Sequence, residues 1–156
     1  MKTILILVGK TTNKHFQAGI ADYAERICHY MPFEIITIPE LKNTKNLSEE
    51  QQKTAEGELI LKQTQSSDTV VLLDEHGKEF RSVDYARWLT QKQQTTRRLV
   101  YVIGGPYGFS EAVYARANEK ISLSKMTFSH QMVRLIFAEQ LYRACTIIKG
   151  EPYHHE

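Results

Sequence analysis

With 156 residues, 42% apolar and 24% charged, the chain can build one hydrophobic core but not two, so residues 1–156 read as a single domain and a disordered chain is excluded. A net charge of +2 suits RNA and many metabolic enzymes alike and chooses between neither. No apolar run is long enough to cross a bilayer, and the opening MKTILILVGK is a poor signal peptide but a good strand, so a cytoplasmic location is expected.

Thr3–Val8 is a continuous apolar run, as a strand buried on both faces should be. Phe16, Ile20, Tyr23, Ala24 and Ile27 then recur at helical spacing, and Pro32 follows the stop. Cys28 and Cys145 both fall in helical patterns and are expected to be small buried thiols, not a bridge. Phe33–Ile38 reads as a second strand. The polar stretch Lys42–Gln52 reads as a solvated connection, in which Ser48 and Gln51 make a capping box. They open a helix that runs to about Gln63, with Leu59 and Ile60 on its inner face. Thr69–Leu73 is a third buried strand, ended by Asp74 and turned by Gly77. Ser82 is expected to cap a helix through Trp88 and Leu89. Leu99–Ile103 is the fourth strand, Ser110 opens another helix, and Ile121–Leu123 is a short fifth strand. Gln131–Lys149 forms the last helix, stopped by Gly150. Such alternation predicts an α/β fold: a mostly parallel sheet of five to six strands with helices on both faces.

Ligands of open parallel sheets bind beyond the carboxyl ends of the strands. Loops leave such ends after Leu73, Ile103 and Leu123, and only the second is glycine-rich: Gly104-Gly105-Pro106-Tyr107-Gly108-Phe109-Ser110. It fails G-x-G-x-x-G and lacks the Lys-Ser/Thr of a phosphate-cradling loop. Gly104 and Gly105 would let main chain approach an aromatic ring closely, while Pro106 stiffens the turn. Taken alone, the loop is equally a tight turn leaving a central strand.

Leu123-Ser124-Lys125-Met126-Thr127-Phe128 offers apolar surface and two hydroxyls; alone, it is a strand followed by a loop that Ser129 caps. In the last helix Val133, Ile136, Phe137, Leu141, Ala144, Cys145 and Ile148 form an apolar stripe, and Arg134, Glu139 and Arg143 are read as lying off it. Glu139 and Arg143, four apart in acid-first order, suit a surface pair worth about 0.2–0.5 kcal/mol. Tyr153-His154-His155 ends the chain. Without C-x-x-C or H-E-x-x-H these histidines do not read as a metal site, and no metal is expected.

The glycine loop, together with Ile121–Glu156, closely resembles the knotted SPOUT-class RNA methyltransferases. The closest resemblance is to the small family that methylates N3 of a pseudouridine in 23S ribosomal RNA of the large subunit, using S-adenosyl-L-methionine (SAM). The match spans nearly the whole chain. It implies a C-terminal trefoil knot, which nothing in composition or periodicity reveals. It also implies that Leu73, Gly104, Gly105, Leu123, Ser124, Lys125, Met126, Thr127 and Phe128 hold SAM. Arg134, Arg143, Tyr153 and His154 are then expected to contact RNA. His155 stands where other members often carry Arg or Lys, which weakens a phosphate contact from that position. Homodimers are implied, with the knot helices at the interface and each site lined by both chains; the assembled ribosome is the implied substrate. A uracil-type N3–H is mostly protonated at neutral pH and must lose its proton to be methylated. His130, Glu139, His154 or a water are the acceptors to consider. Two readings compete: a non-enzymatic ribosome- or RNA-binding module that kept the fold, and a SPOUT methyltransferase acting on transfer RNA. The absence of an appended RNA-binding domain speaks against the latter.

Overall fold

Three strands of this protein contain unbroken apolar runs of four or five residues, Ile4–Val8, Val70–Leu73 and Leu99–Ile103, because both faces of each are covered by helices. A computed structural model describes all residues, Met1–Glu156. In chain order the elements are β1 (Lys2–Val8), α1 (Lys14–Cys28), β2 (Phe33–Ile38), α2 (Glu49–Lys62), β3 (Thr69–Glu79), α3 (Ser82–Thr95), β4 (Arg98–Ile103), α4 (Glu111–Arg116), β5 (Glu119–Ser122) and α5 (Met132–Ile148), with a short 3-10 turn at Thr44–Asn46. The five strands form one all-parallel sheet in the order β2-β1-β4-β3-β5. Every strand therefore ends on the same rim.

Alternate residues of each strand serve opposite faces. Leu5, Leu7, Leu99 and Tyr101 meet Ile27, Leu89, Phe137 and Leu141 on the face covered by α1, α3 and α5. Ile4, Ile6, Val100 and Val102 meet Ile60 and Val113 on the face covered by α2 and α4. The helix starts follow local capping chemistry. Asn13 accepts from the backbone N–H groups of His15 and Phe16, and Ser48 with Gln51 forms the full capping box. Ser82 does not cap α3: it is the first helical residue, preceded by Arg81 with no side-chain cap bond.

The third strand outruns its apolar stretch. Both Leu73 and Lys78 pair with Ile121 of β5, so residues 74–77 bulge out of the ladder. Asp74 stabilises the bulge by accepting from the backbone N–H of His76 at 2.8 Å. A Cβ on Gly77 would lie 2.6 Å from the Ile121 nitrogen, so only glycine lets the bulge rest on β5.

Cys145 is buried, as expected, and burial pushes its thiol up to about 12. Cys28 is exposed, because it closes α1 at the outer end where the chain turns towards β2. A thiol reagent at about pH 8 should thus label one cysteine per native chain and both after denaturation; rapid native labelling of both would contradict this packing. No helix is long and apolar enough to cross a membrane.

Candidate functional site

Where β3 and β4 end, the rim opens into a cleft of about 610 Å³, closed on its other sides by the segment after β5 and the start of α5. Leu73 and Ile103, the last apolar residues of β3 and β4, lie at its base beside Leu123. This volume is within the range of small-molecule sites.

One wall is the glycine loop. Gly105 and Gly108 bridge each other across the turn, and the Gly108 N–H donates to the Gly105 carbonyl at 3.2 Å. Gly108 has φ +82, the left-handed region that favours glycine. Gly104 and Gly105 are required for a different reason, space: a Cβ on Gly104 would lie 2.9 Å from the Phe109 ring, and one on Gly105 would lie 2.7 Å from Glu56 Oε1. Glu56 sits buried beneath the loop, and desolvation raises its carboxyl above the usual range.

The opposite wall is residues 123–130. The Ser122 hydroxyl donates to the Ser124 carbonyl at 2.9 Å, and the Met126 N–H donates to Ser124 Oγ at 2.9 Å, which folds the segment on itself. Thr127 donates to Glu75 at 3.4 Å, tying this wall to the β3 bulge. Ser129 accepts from the Met132 N–H at 3.0 Å, as a capping residue should. On the bulge, Asp74 also accepts from the Tyr114 hydroxyl of α4. Burial, then this bond, lift the Tyr114 phenol to about 12, so it donates throughout the physiological range. The lining includes Asp74 and Glu75 but no lysine or arginine. Such a wall suits a ligand with an aromatic part and a positive charge, and opposes a phosphate. Met126, Tyr107 and Tyr114 leave apolar surface exposed at the mouth.

Leu73, Gly104, Gly105, Leu123, Ser124, Met126, Thr127, Phe128 and His130 are all brought together on this cleft. Lys125 is not on its wall: its ammonium lies in solvent, 3.7 Å from Glu79. Asp74, Glu75, His76, Tyr107, Tyr114 and Val133 line it as well. The signal for the first three was a polar run directly following an apolar strand at the rim.

Glu139, Arg143, Tyr153 and His154 gather elsewhere. Glu139 accepts from Arg143 Nε at 3.1 Å, the Tyr153 hydroxyl at 3.0 Å and Gln140 at 2.8 Å. Arg143 stacks over the Tyr153 ring at 4.8 Å and donates to His154 Nδ1 at 3.1 Å. Because a guanidinium only donates, the other His154 nitrogen, Nε2, carries the proton, and it is buried without a partner. Arg143 lies ten residues along α5 from Val133 on the cleft wall, about 15 Å of helix.

Arg134 belongs to neither group and does not lie off the apolar stripe. It is 1% exposed and donates to the carbonyls of Val8 at 2.7 Å and Gly9 at 2.9 Å, and to Thr11 Oγ1 at 2.9 Å. Its place is structural because these acceptors at the end of β1 face inward.

A family model described as "Predicted SPOUT methyltransferase" matches residues 1–154. Proteins named "Ribosomal RNA large subunit methyltransferase H" from Bacteroides fragilis and Phocaeicola vulgatus are 62% and 63% identical to this chain, each over 100% of both chains. The protein of that name from Christiangramia forsetii is 60% identical over 97% of both.

Proposed function

The chain belongs to the SPOUT methyltransferase family, and from that premise we propose that it uses SAM to methylate N3 of a pseudouridine in 23S ribosomal RNA, acting as a homodimer on the assembled ribosome. Membership implies a C-terminal trefoil knot and an enzyme. The observation that carries the cofactor assignment is the cleft: glycine-built on one side, apolar at its base, acidic at its bulge and free of lysine and arginine.

When bound, SAM supplies a methyl group on a sulfonium cation. Leu73, Ile103, Leu123 and Phe128 offer apolar surface for an adenine, and Gly104 and Gly105 allow main-chain approach to it. Ser124, Met126 and Thr127 supply polar and apolar contacts from the other wall, with Asp74 and Glu75 complementing positive charge. Lys125 contributes through its backbone, since its side chain lies outside. The protein's chief task is to align two bound partners, which lowers a barrier by several kcal/mol.

The N3 proton must leave as the bond forms. Of the candidates His130, Glu139 and His154, only His130 lies on the cleft wall of the same chain. Glu139 accepts four hydrogen bonds from three residues and serves better to orient Arg143 and Tyr153 than to take a proton. His154 Nε2 is buried without a partner, so the ring serves to hold Arg143 through Nδ1 and presents no free donor at the surface of the single chain. A two-fold dimer would deliver the Glu139–Arg143–Tyr153–His154 cluster of one protomer to the cleft of the other.

The test incubates ribosomes lacking the modification with the protein and methyl-labelled SAM, then maps the methyl by mass spectrometry. Label on N3 of a large-subunit pseudouridine is expected. Label on transfer RNA, or none despite SAM binding by calorimetry, would overturn the substrate, and no SAM binding would favour a non-enzymatic RNA-binding module.

A further inference from the structure

The sheet order sets two connections beside the cleft that the chemistry above does not use. β1 pairs with β4 through Leu7 and Ile103, and with β2 through Val8 and Ile38. The loops leaving β1 and β2 therefore continue the rim from Gly104 outward, about 5 Å per strand. The first carries Lys10, Lys14 and His15, and the second Lys42 and Lys45; all are exposed. None of the four lysines is within ion-pair distance of a carboxylate. The acidic groups on these connections are Glu40, whose side chain lies over Gly9, and Glu49 at the start of α2. No other acid occurs from Gly9 to Phe16 or from Leu41 to Ser48. Four unpaired lysines against Glu40 and Glu49 leave these two connections locally positive, in a chain whose whole excess is +2. The first connection is also fixed to the cleft. Gln131, next to His130, accepts from the Thr12 N–H at 2.8 Å and donates to the Lys10 carbonyl at 3.2 Å, and Arg134 holds Val8, Gly9 and Thr11.

We propose that this lysine rim, Lys10, Lys14, Lys42 and Lys45, is the bed for the RNA phosphate backbone while the target base enters the adjoining cleft. It rests on the RNA-methylating reading above. The cleft itself has no lysine or arginine, so attraction for a polyanion must come from beside it, and the first connection, tied through Gln131 and Arg134 to the helix that starts at the cleft, can set register as well as affinity.

The test is the salt dependence of ribosome binding by the full chain. Removing one lysine–phosphate ion pair lowers the log–log slope by about 0.7 for single-stranded RNA, so Lys10→Ala/Lys14→Ala should lower it by about 1.4, and Lys42→Ala/Lys45→Ala similarly. Lys10→Arg/Lys14→Arg should keep the wild-type slope. So should Lys62→Ala/Arg97→Ala, exposed cations on the opposite rim. SAM affinity, read by calorimetry, should be unchanged in all four. Equal slopes in the rim and opposite-rim pairs would overturn the proposal, as would a wild-type chain that binds no ribosomes. Wild-type binding without methyl transfer would instead sink only the functional reading.

Discussion

Replacing Gly104 with valine is expected to weaken SAM binding by roughly ten- to a hundredfold, since overpacking costs about 1–3 kcal/mol. The new Cβ would sit 2.9 Å from Cε1 of Phe109. That ring is 6% exposed and already meets Tyr114 edge-on at 5.7 Å, so its remaining way out is into the cleft. The added methyls and the displaced ring then occupy the same space as an adenine. Calorimetry reads the affinity, and a urea melt on the same sample checks that the fold survives. Gly108→Ala is the useful contrast: its Cβ meets nothing within 4 Å but its backbone is strained at φ +82, so it should cost about 1 kcal/mol of stability and little affinity. Unchanged SAM affinity in the valine variant would place the cofactor elsewhere.

Arg134→Ala is expected to destabilise the protein by about 3–5 kcal/mol, because it strips two inward-facing carbonyls of their donors and leaves a cavity. Burial pulls this guanidinium below the ordinary arginine range, yet three hydrogen bonds hold it in place. Against a total stability of about 5–15 kcal/mol, the loss is large enough to threaten folding on modest warming. Equilibrium urea unfolding measures it. Arg134→Lys should recover part of the loss through one remaining donor. A midpoint unmoved by the alanine change would mean that water already satisfies Val8 and Gly9.

Much of this architecture is legible in the chain because strands covered on both faces must be apolar throughout, as LILV, VVLL and LVYVI are. The capping box at Ser48 and the glycine pair at the end of β4 are legible for similar local reasons. The extension of β3 is not: Asp74-Glu75-His76-Gly77-Lys78-Glu79 has no strand pattern, and its pairing depends on a bulge that β5 imposes. Arg134 was disguised by its charge. Its spacing gives it away, since 134, 138, 141 and 145 are successive positions of the buried face of α5. The separation of Glu139 and His154 from His130 was illegible for another reason: the tail's docking is fixed by side-chain bonds eleven to fourteen residues apart, which no local pattern encodes.

The strand order β2-β1-β4-β3-β5 also bears on how the chain is born. β1 and β2 can pair as soon as both have left the ribosomal tunnel. β3 emerges before either of its neighbours exists, so its apolar Thr69–Leu73 segment waits until residue 103 has been made. At roughly 5–20 residues per second that interval lasts about 1.5 to 6 seconds, and α5, which covers the face opposite α2 and α4, arrives later still. Chains interrupted within this window carry a strand with both edges unpaired and one apolar face uncovered, α2 alone being ready to cover the other, and they are the chains most prone to aggregate.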